Sequence, residues 1–225
     1  MEILFCILIG YFIGCINPAY ILGKVMGKDV KNNGSGNAGA SNALILFGKF
    51  VGVFCALFDI FKAWGAIELA EYLFSDTFDY AFSVTAVAAI LGHIFPFYIR
   101  FSGGKGLASF GGMVLSFSPL VFLVMFSSAI VMVLLVNYIC FVPMVASVVF
   151  PVIYGVMRRD LIGALILCIP IAVIFIKHKE NIKRIANGTE FRISYLWNKN
   201  KELERVNLDF NSEESNEPET ANEAT

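Results

Sequence analysis

Seven apolar runs, at residues 4–22, 50–73, 80–98, 107–117, 120–136, 141–156 and 161–176, follow one another along the chain, with short polar breaks after the longer first connection. Crossing the hydrocarbon core of a bilayer takes roughly 20 apolar residues in an α-helix, which satisfies its own backbone donors and acceptors where no water can. Hydrophobic residues make up 57% of the 225 positions and charged ones 16%, so the chain cannot clothe a soluble domain in polar surface. Its mean hydropathy of +0.72 points the same way. The expected architecture is an all-α integral membrane protein, a bundle of about seven transmembrane helices. The fourth run is short and rich in glycine and is expected to tuck against its neighbours. Pro119, Pro143 and Pro151 punctuate the later runs, where adjacent helices can take up the backbone groups that a proline frees.

The bases set the expected orientation. Lys24, Lys28, Lys31 and Lys49 surround the first connection and Glu68, Glu71, Asp76 and Asp79 the second, which puts the first connection inside. Seven crossings then leave the N-terminus outside and the C-terminus in the cytoplasm. The polar stretches 24–49, 92–106 and 177–199 share the cytoplasmic side, with the plasma membrane of a bacterium as the expected location. Arg158 and Arg159 fall outside against the rule and are outvoted by the other loops. The opening MEILFCILIGYFIG has no basic leader and no small-residue cleavage site, and reads as a retained first helix. Residues 1–200 are expected to form one membrane domain, and residues 201–225, acidic and poor in apolar side chains, a disordered cytoplasmic tail.

Several chemistries are unexpected here. Only His93 and His178 are present, and Cys6, Cys15, Cys55, Cys140 and Cys168 lie in apolar runs without paired spacing, so the thiols read as reduced, buried residues and no metal site is expected. A net charge of −1 gives no hint of nucleic acid.

Three polar stretches carry what chemistry there is. The first, residues 33–42, reads NGSGNAGASN just ahead of a helical pattern. Glycines let backbone N–H groups converge on an anion, Ser and Asn side chains add donors, and a helix N-terminus adds its dipole. A flexible linker has a similar composition. The second holds Gly92-His93 and then Gly103-Gly104-Lys105-Gly106, a lysine among backbone donors. It is no nucleotide-binding P-loop, since Ile99 stands where the earlier glycine belongs and Gly106 where Ser or Thr is required. A snorkelling lysine with packing glycines is the plainer alternative.

The third stretch, residues 177–190, leaves the last helix with His178, Asn181, Ile182 and Ile185 on one face, able to dock two polar groups on the bundle, or else is an ordinary basic flank. Asp59 and Lys62, three apart inside the second run, are costly in lipid and are expected to pair in the interior.

Taken together the three stretches resemble the membrane-bound acyl-phosphate:glycerol-3-phosphate acyltransferases, the PlsY family. The resemblance rests on GSGNAGASN at 34–42, GHIFPFYIRFSGGKGLAS at 92–109 and HKENIKRIANGTE at 178–190, in that order, and leaves only the tail uncovered. GCINPA at 14–19 and the Asp59/Lys62 pair also look familial. It implies a seven-helix fold, no metal or cofactor, and transfer of a fatty acyl group from acyl phosphate to the 1-position of glycerol 3-phosphate, giving lysophosphatidate and phosphate. Membrane lipid and a soluble enzyme that makes acyl phosphate are further implied partners. Ser35, His93, Lys105, His178 and Asn181 become the expected catalytic residues. Gly34, Gly36, Asn37, Asn42, Gly103, Gly104 and Gly106 become the expected substrate-binding residues, and Asp59, Lys62 and Glu190 the structural ones. An acyl phosphate is a mixed anhydride whose phosphate departs readily, so positioning two anions can do most of the work without a covalent intermediate. His93, His178 and a substrate phosphate oxygen remain candidates for the base, the resemblance favouring the last.

One departure stands out. After the first motif the family usually runs T-N-V-x-R, whereas this chain has Ser41-Asn42-Ala43-Leu44-Ile45, an isoleucine where the resemblance expects a phosphate-gripping arginine. Lys49, one helical turn further, is within reach of the site, but a lysine there also looks usual in the family and is poor evidence of compensation. A family paralogue with a regulatory role or another acceptor is the alternative that Ile45 raises. An anion transporter is a second alternative, though no repeat is visible and the polar stretches share one side.

Overall fold

The computed structural model describes residues 1–206, and every regular element among them is helical. In chain order these are α1 (Glu2–Cys15), α2 (Pro18–Val25), α3 (Ala40–Phe47), α4 (Lys49–Phe74), α5 (Ala81–Ile94), α6 (Leu107–Phe117), α7 (Pro119–Val136), α8 (Phe141–Arg158), α9 (Leu161–Leu167), α10 (Ile169–Ala186) and α11 (Lys199–Val206). Six stretches are long and apolar enough to cross a membrane: α1–α2, α4, α5 with the turn after it, α7, α8 and α9–α10. The fold class expected from the apolar runs is therefore the one found.

The fourth run is α6, 11 residues and so about 16 Å long. It nevertheless travels nearly as far as its neighbour. Gly106, at its start, sits beside Ile90 and Ile94 near the end of α5, and Phe117, at its end, packs edgewise on Phe82 near the start of α5. Helix α6 thus lies along α5, shorter than the six spanning stretches, as the tucked fourth run was expected to do.

Helix α5 is the hub, with nearly every residue buried. Small residues let α1 cross it closely. A Cβ at Gly10 would meet the Thr85 carbonyl, one at Gly14 the Ala89 backbone, and one at Gly92 the Tyr11 carbonyl. Between lipid-solvated helices such backbone approach, rather than a hydrophobic driving force, supplies the packing energy. On the outside, α7 has only 6% of its residues buried and turns Leu120, Leu123, Val124 and Leu135 outward, as a lipid-facing helix should.

Two of the apolar runs are broken. The first kinks at Ile16-Asn17, where the Asn17 side chain caps α2 by accepting from Tyr20 N at 2.8 Å and Pro18 opens the new helix. The last breaks at Cys168, ahead of Pro170. Beyond the bundle, residues 201–206 belong to α11 and are not the disordered chain expected from 201 on. Glu202 is buried, paired with Arg205 at 2.7 Å, and accepts from Ser194 Oγ at 3.0 Å, contacts that offset the cost of ordering an otherwise polar segment. The remainder of the expected tail, 207–225, lies outside the described residues.

Candidate active site

All three polar stretches converge on one cavity of about 510 Å³ at one end of the bundle. The first contributes Gly34, Ser35, Asn37, Ser41 and Ile45, the second His93, Lys105 and Gly106, and the third His178, Asn181, Arg184 and Glu190. Ala56 of α4 and Ile139, Cys140 and Pro143 around the start of α8 give the cavity an apolar side.

The first stretch is held in place by its own side chains. Asn42 is fully buried, accepts from Ser35 N at 2.7 Å, and donates to Val30 O at 2.7 Å and Asn33 O at 3.0 Å. These bonds occupy both ends of its amide, so Asn42 is a latch for the loop and not the substrate contact expected of it. Gly34 and Gly36 adopt φ of +64° and +69°, left-handed values that let the loop wrap the latch. Outside the loop, Asn17 Nδ2 donates to Ala38 O at 2.7 Å and Lys31 Nζ to Ile99 O at 3.0 Å, tying it to the helix break and to the second stretch.

Gly103 and Gly104 also play another part than the one expected. Their N–H groups are spent on Ile94 O at 3.0 Å and His93 O at 3.1 Å, which leaves neither for an anion. A Cβ at Gly104 would overlap the His93 imidazole, and one at Gly103 the His93 carbonyl. The two glycines therefore let the loop lie flat on the end of α5. The donors that do face the cavity are at helix starts. Ala40 and Ser41 open α3, and Leu107 and Ala108 open α6; all four line the cavity, and neither helix start has a side-chain cap. Two helix starts without side-chain caps, each with the positive end of its dipole, thus border the same space, a setting chemically suited to an anion.

His93 belongs to a buried cluster with the Asp59/Lys62 pair. Lys62 Nζ lies 2.6 Å from Asp59 Oδ1, 2.5 Å from Ile16 O and 3.1 Å from His93 Nδ1, and His93 Nδ1 lies 3.3 Å from Asp59 Oδ1. The expected interior pair is present, with a histidine as third member that spacing in the sequence could not reveal. With one ring nitrogen held by this cluster and the other under Gly104, His93 is placed to support the cavity floor.

On α10, His178 is 3% exposed and its Nδ1 is 2.7 Å from Ile174 O. A carbonyl only accepts, so Nδ1 carries the hydrogen of the neutral ring and Nε2 keeps a lone pair. Next to it a polar chain crosses the wall: Lys105 Nζ donates to Asn181 Oδ1, Asn181 Nδ2 to Glu190 Oε1 at 2.5 Å, and Arg184 Nε to Glu190 Oε2 at 2.6 Å. Thr189 N and Glu190 N both return to Arg184 O, at 2.8 and 3.2 Å, which folds the chain back and presents Glu190 to this wall. Burial, with the Arg184 guanidinium adding to it, pushes the Lys105 ammonium down to about 8.

Two features went unmarked in the sequence. Arg184 reads there as one base among several on a flank, and only the fold-back after α10 turns it into the cavity. Val206 lines the cavity as well, carried by α11, whose Arg205 donates to the carbonyls of Gly188 and Glu190. No composition signal marks that contact. Ile182, expected on the docked face, is 40% exposed, since the buried line on α10 runs through Pro170, Ile174, His178 and Asn181.

A bundle of membrane-length helices with two uncapped helix N-termini, two cations and a free imidazole nitrogen around one cavity is a multi-pass membrane protein with a site chemically suited to anions. A family model described as "Glycerol-3-phosphate acyltransferase" matches residues 4–188. The glycerol-3-phosphate acyltransferase of Thermoanaerobacter pseudethanolicus is 33% identical over 187 residues, 83% of this chain and 93% of that one. That of Bacillus subtilis is 32% identical over 197 residues, 87% of this chain and all of that one. Among solved structures, the glycerol 3-phosphate form of the integral membrane acyltransferase PlsY superposes with a TM-score of 0.76 at 30% identity, over 87% of this chain and 98% of that one. Its lysophosphatidic acid form gives 0.72 over 85% and 95%. This chain belongs to the glycerol-3-phosphate acyltransferase family of the PlsY type.

Proposed function

We propose that this protein acylates the 1-hydroxyl of glycerol 3-phosphate, with an acyl phosphate as donor and lysophosphatidate and inorganic phosphate as products. The observation that carries the reading is the meeting of two uncapped helix N-termini with Lys105, Arg184 and the free nitrogen of His178 around one cavity. Both substrates are phosphate anions, and donors already fixed around a site hold such charge more effectively than water, which must reorient to do so. In the reaction the C1 hydroxyl oxygen attacks the carbonyl carbon of the mixed anhydride. The bond from that carbon to the bridging oxygen breaks, and phosphate leaves with the electron pair. The hydroxyl proton passes to a base within hydrogen-bond reach, either His178 Nε2 or a substrate phosphate oxygen. Ser35, with its backbone N–H fixed by Asn42, has a hydroxyl to offer either anion. The apolar side by Ala56, Ile139 and Pro143 suits the first carbons of the acyl chain.

Purified protein in lipid, given palmitoyl phosphate and glycerol 3-phosphate, is expected to release lysophosphatidate and phosphate in equal amounts. Folded protein that yields neither would overturn the reading.

The site is proposed to face the cytoplasm of a bacterial plasma membrane, since Lys24, Lys28, Lys31, Lys177 and Lys179 flank it. The opposite end carries Glu71, Asp79 and Asp160 beside Arg158 and Arg159. In a background with the exposed native Cys168 replaced by serine, cysteines at exposed Lys28 and Lys179 are expected to resist an impermeant maleimide in sealed cells, and one at Asp76 to react. The reverse pattern would place the site outside and defeat this orientation.

A further inference from the structure

We infer that Arg184 is a substrate-binding residue, the guanidinium that grips the phosphate of glycerol 3-phosphate together with Lys105. The inference rests on the acyltransferase reading above and adds a residue to it.

Arg184 lines the cavity alongside Lys105 and stands at the last turn of α10, with 32% of its side chain exposed. Its Nε donates to Glu190 Oε2 at 2.6 Å. Among the described residues neither terminal nitrogen has a hydrogen-bond partner, so the outer edge of the fork is open to an acceptor. Glu190 has a different use in the same chain of bonds: it orients Arg184 with one oxygen and Asn181, the acceptor for Lys105, with the other. One carboxylate thereby sets the geometry of both cations, and the wall keeps a net positive charge. A phosphate monoester dianion is the ligand such a wall fits, because a planar fork and a point cation can take different oxygens of one phosphate.

Glycerol 3-phosphate and acyl phosphate both offer that chemistry, and the position of Arg184 decides between them. Its partial exposure beyond the apolar part of α10 suits a substrate that arrives from water, whereas an acyl phosphate carries a chain that partitions into the bilayer.

Position 45 offers an independent check. Ile45, on α3, lines the same cavity without charge, and Lys49 does not stand in for it. Gly48, at φ +92°, ends α3, so Lys49 begins α4 as an exposed residue outside the cavity lining. The wall of α10 is then the place from which a guanidinium reaches this cavity.

The test measures steady-state kinetics for both substrates in parent, Arg184→Lys, Arg184→Gln and Arg184→Gln/Ile45→Arg proteins, with thermal unfolding of each. Arg184→Lys keeps a charge beside Glu190 but loses the fork, and is expected to raise the KM for glycerol 3-phosphate about fivefold, with kcat and the KM for acyl phosphate little changed; Arg184→Gln should raise it about tenfold or more. Ile45→Arg in the Arg184→Gln background should recover at least half of that loss on a logarithmic scale, although α3 makes no bond to Glu190. A structural ion pair alone predicts the opposite pattern: lower stability, repair by lysine and no repair from position 45. An unchanged KM for glycerol 3-phosphate in stable Arg184→Gln, or a rise confined to acyl phosphate, overturns the assignment. Failure of the parent itself to make lysophosphatidate sinks the acyltransferase reading, and it is seen before any variant is compared.

Discussion

Lys105→Ala is expected to lower kcat/KM for glycerol 3-phosphate by about ten- to a hundredfold, the loss of one charged hydrogen bond worth roughly 1.5–3 kcal/mol. The ammonium stands on the cavity wall between the start of α6 and Asn181, with its bond to Asn181 Oδ1 holding it there. Alanine removes the charge and leaves the Asn181 oxygen without its donor. The same residue gives a pH signature. Burial first, and the nearby Arg184 guanidinium second, hold the ammonium down to about 8, against the pull of Glu190. Lys105 is therefore charged below that value and loses its proton as the pH rises through it. Because kcat/KM reports the free enzyme, it is expected to fall above about pH 8, approaching tenfold per unit, in the parent and not in Lys105→Ala. Lys105→Arg stays charged throughout and should move the fall out of the accessible range. A folded Lys105→Ala protein with parental kinetics, or one that keeps the same descending limb, would show that the lysine only packs.

The fold was legible because the bilayer leaves few choices. Apolar runs of spanning length become helices, whereas the close crossings at Gly10, Gly14 and Gly92 depend on partners that no run announces. The convergence of three stretches was legible too, from the side on which they lie. Hidden were the roles inside each stretch, for these depend on which donors remain after folding. Asn42 and Gly104 have the right chemistry for an anion but spend it locally, one on Ser35 N, Val30 O and Asn33 O, the other on His93 O. His93 and the Asp59/Lys62 pair lie on different helices, and only the packing of α4 against α5 joins them. Arg184 is the reverse case, a flank residue by pattern that a fold-back of the chain turns into the site.

Ile45→Arg is expected to raise kcat/KM for glycerol 3-phosphate by the equivalent of about 1–3 kcal/mol, chiefly through KM. Ile45 already lines the cavity with its side chain half-buried, so a longer residue there enters the anion-binding space without crossing the core. Ser35, whose N–H is fixed by Asn42, lies on the same side, and a guanidinium on α3 would face Lys105 and Arg184 across the phosphate. The size of the gain depends on what Arg184 already does. Two guanidinium groups competing for three phosphate oxygens do not add, so the gain should lie near the lower figure in the parent and near the upper one with Arg184→Gln, a coupling that a double-mutant cycle reads directly. Equal gains in both backgrounds would mean that the two positions serve different anions. A well-folded Ile45→Arg protein with unchanged or lower activity would mean that the cavity has closed around isoleucine, because an arginine forced against Lys105 without a phosphate between them repels it. That result would favour an acceptor smaller or less charged than glycerol 3-phosphate.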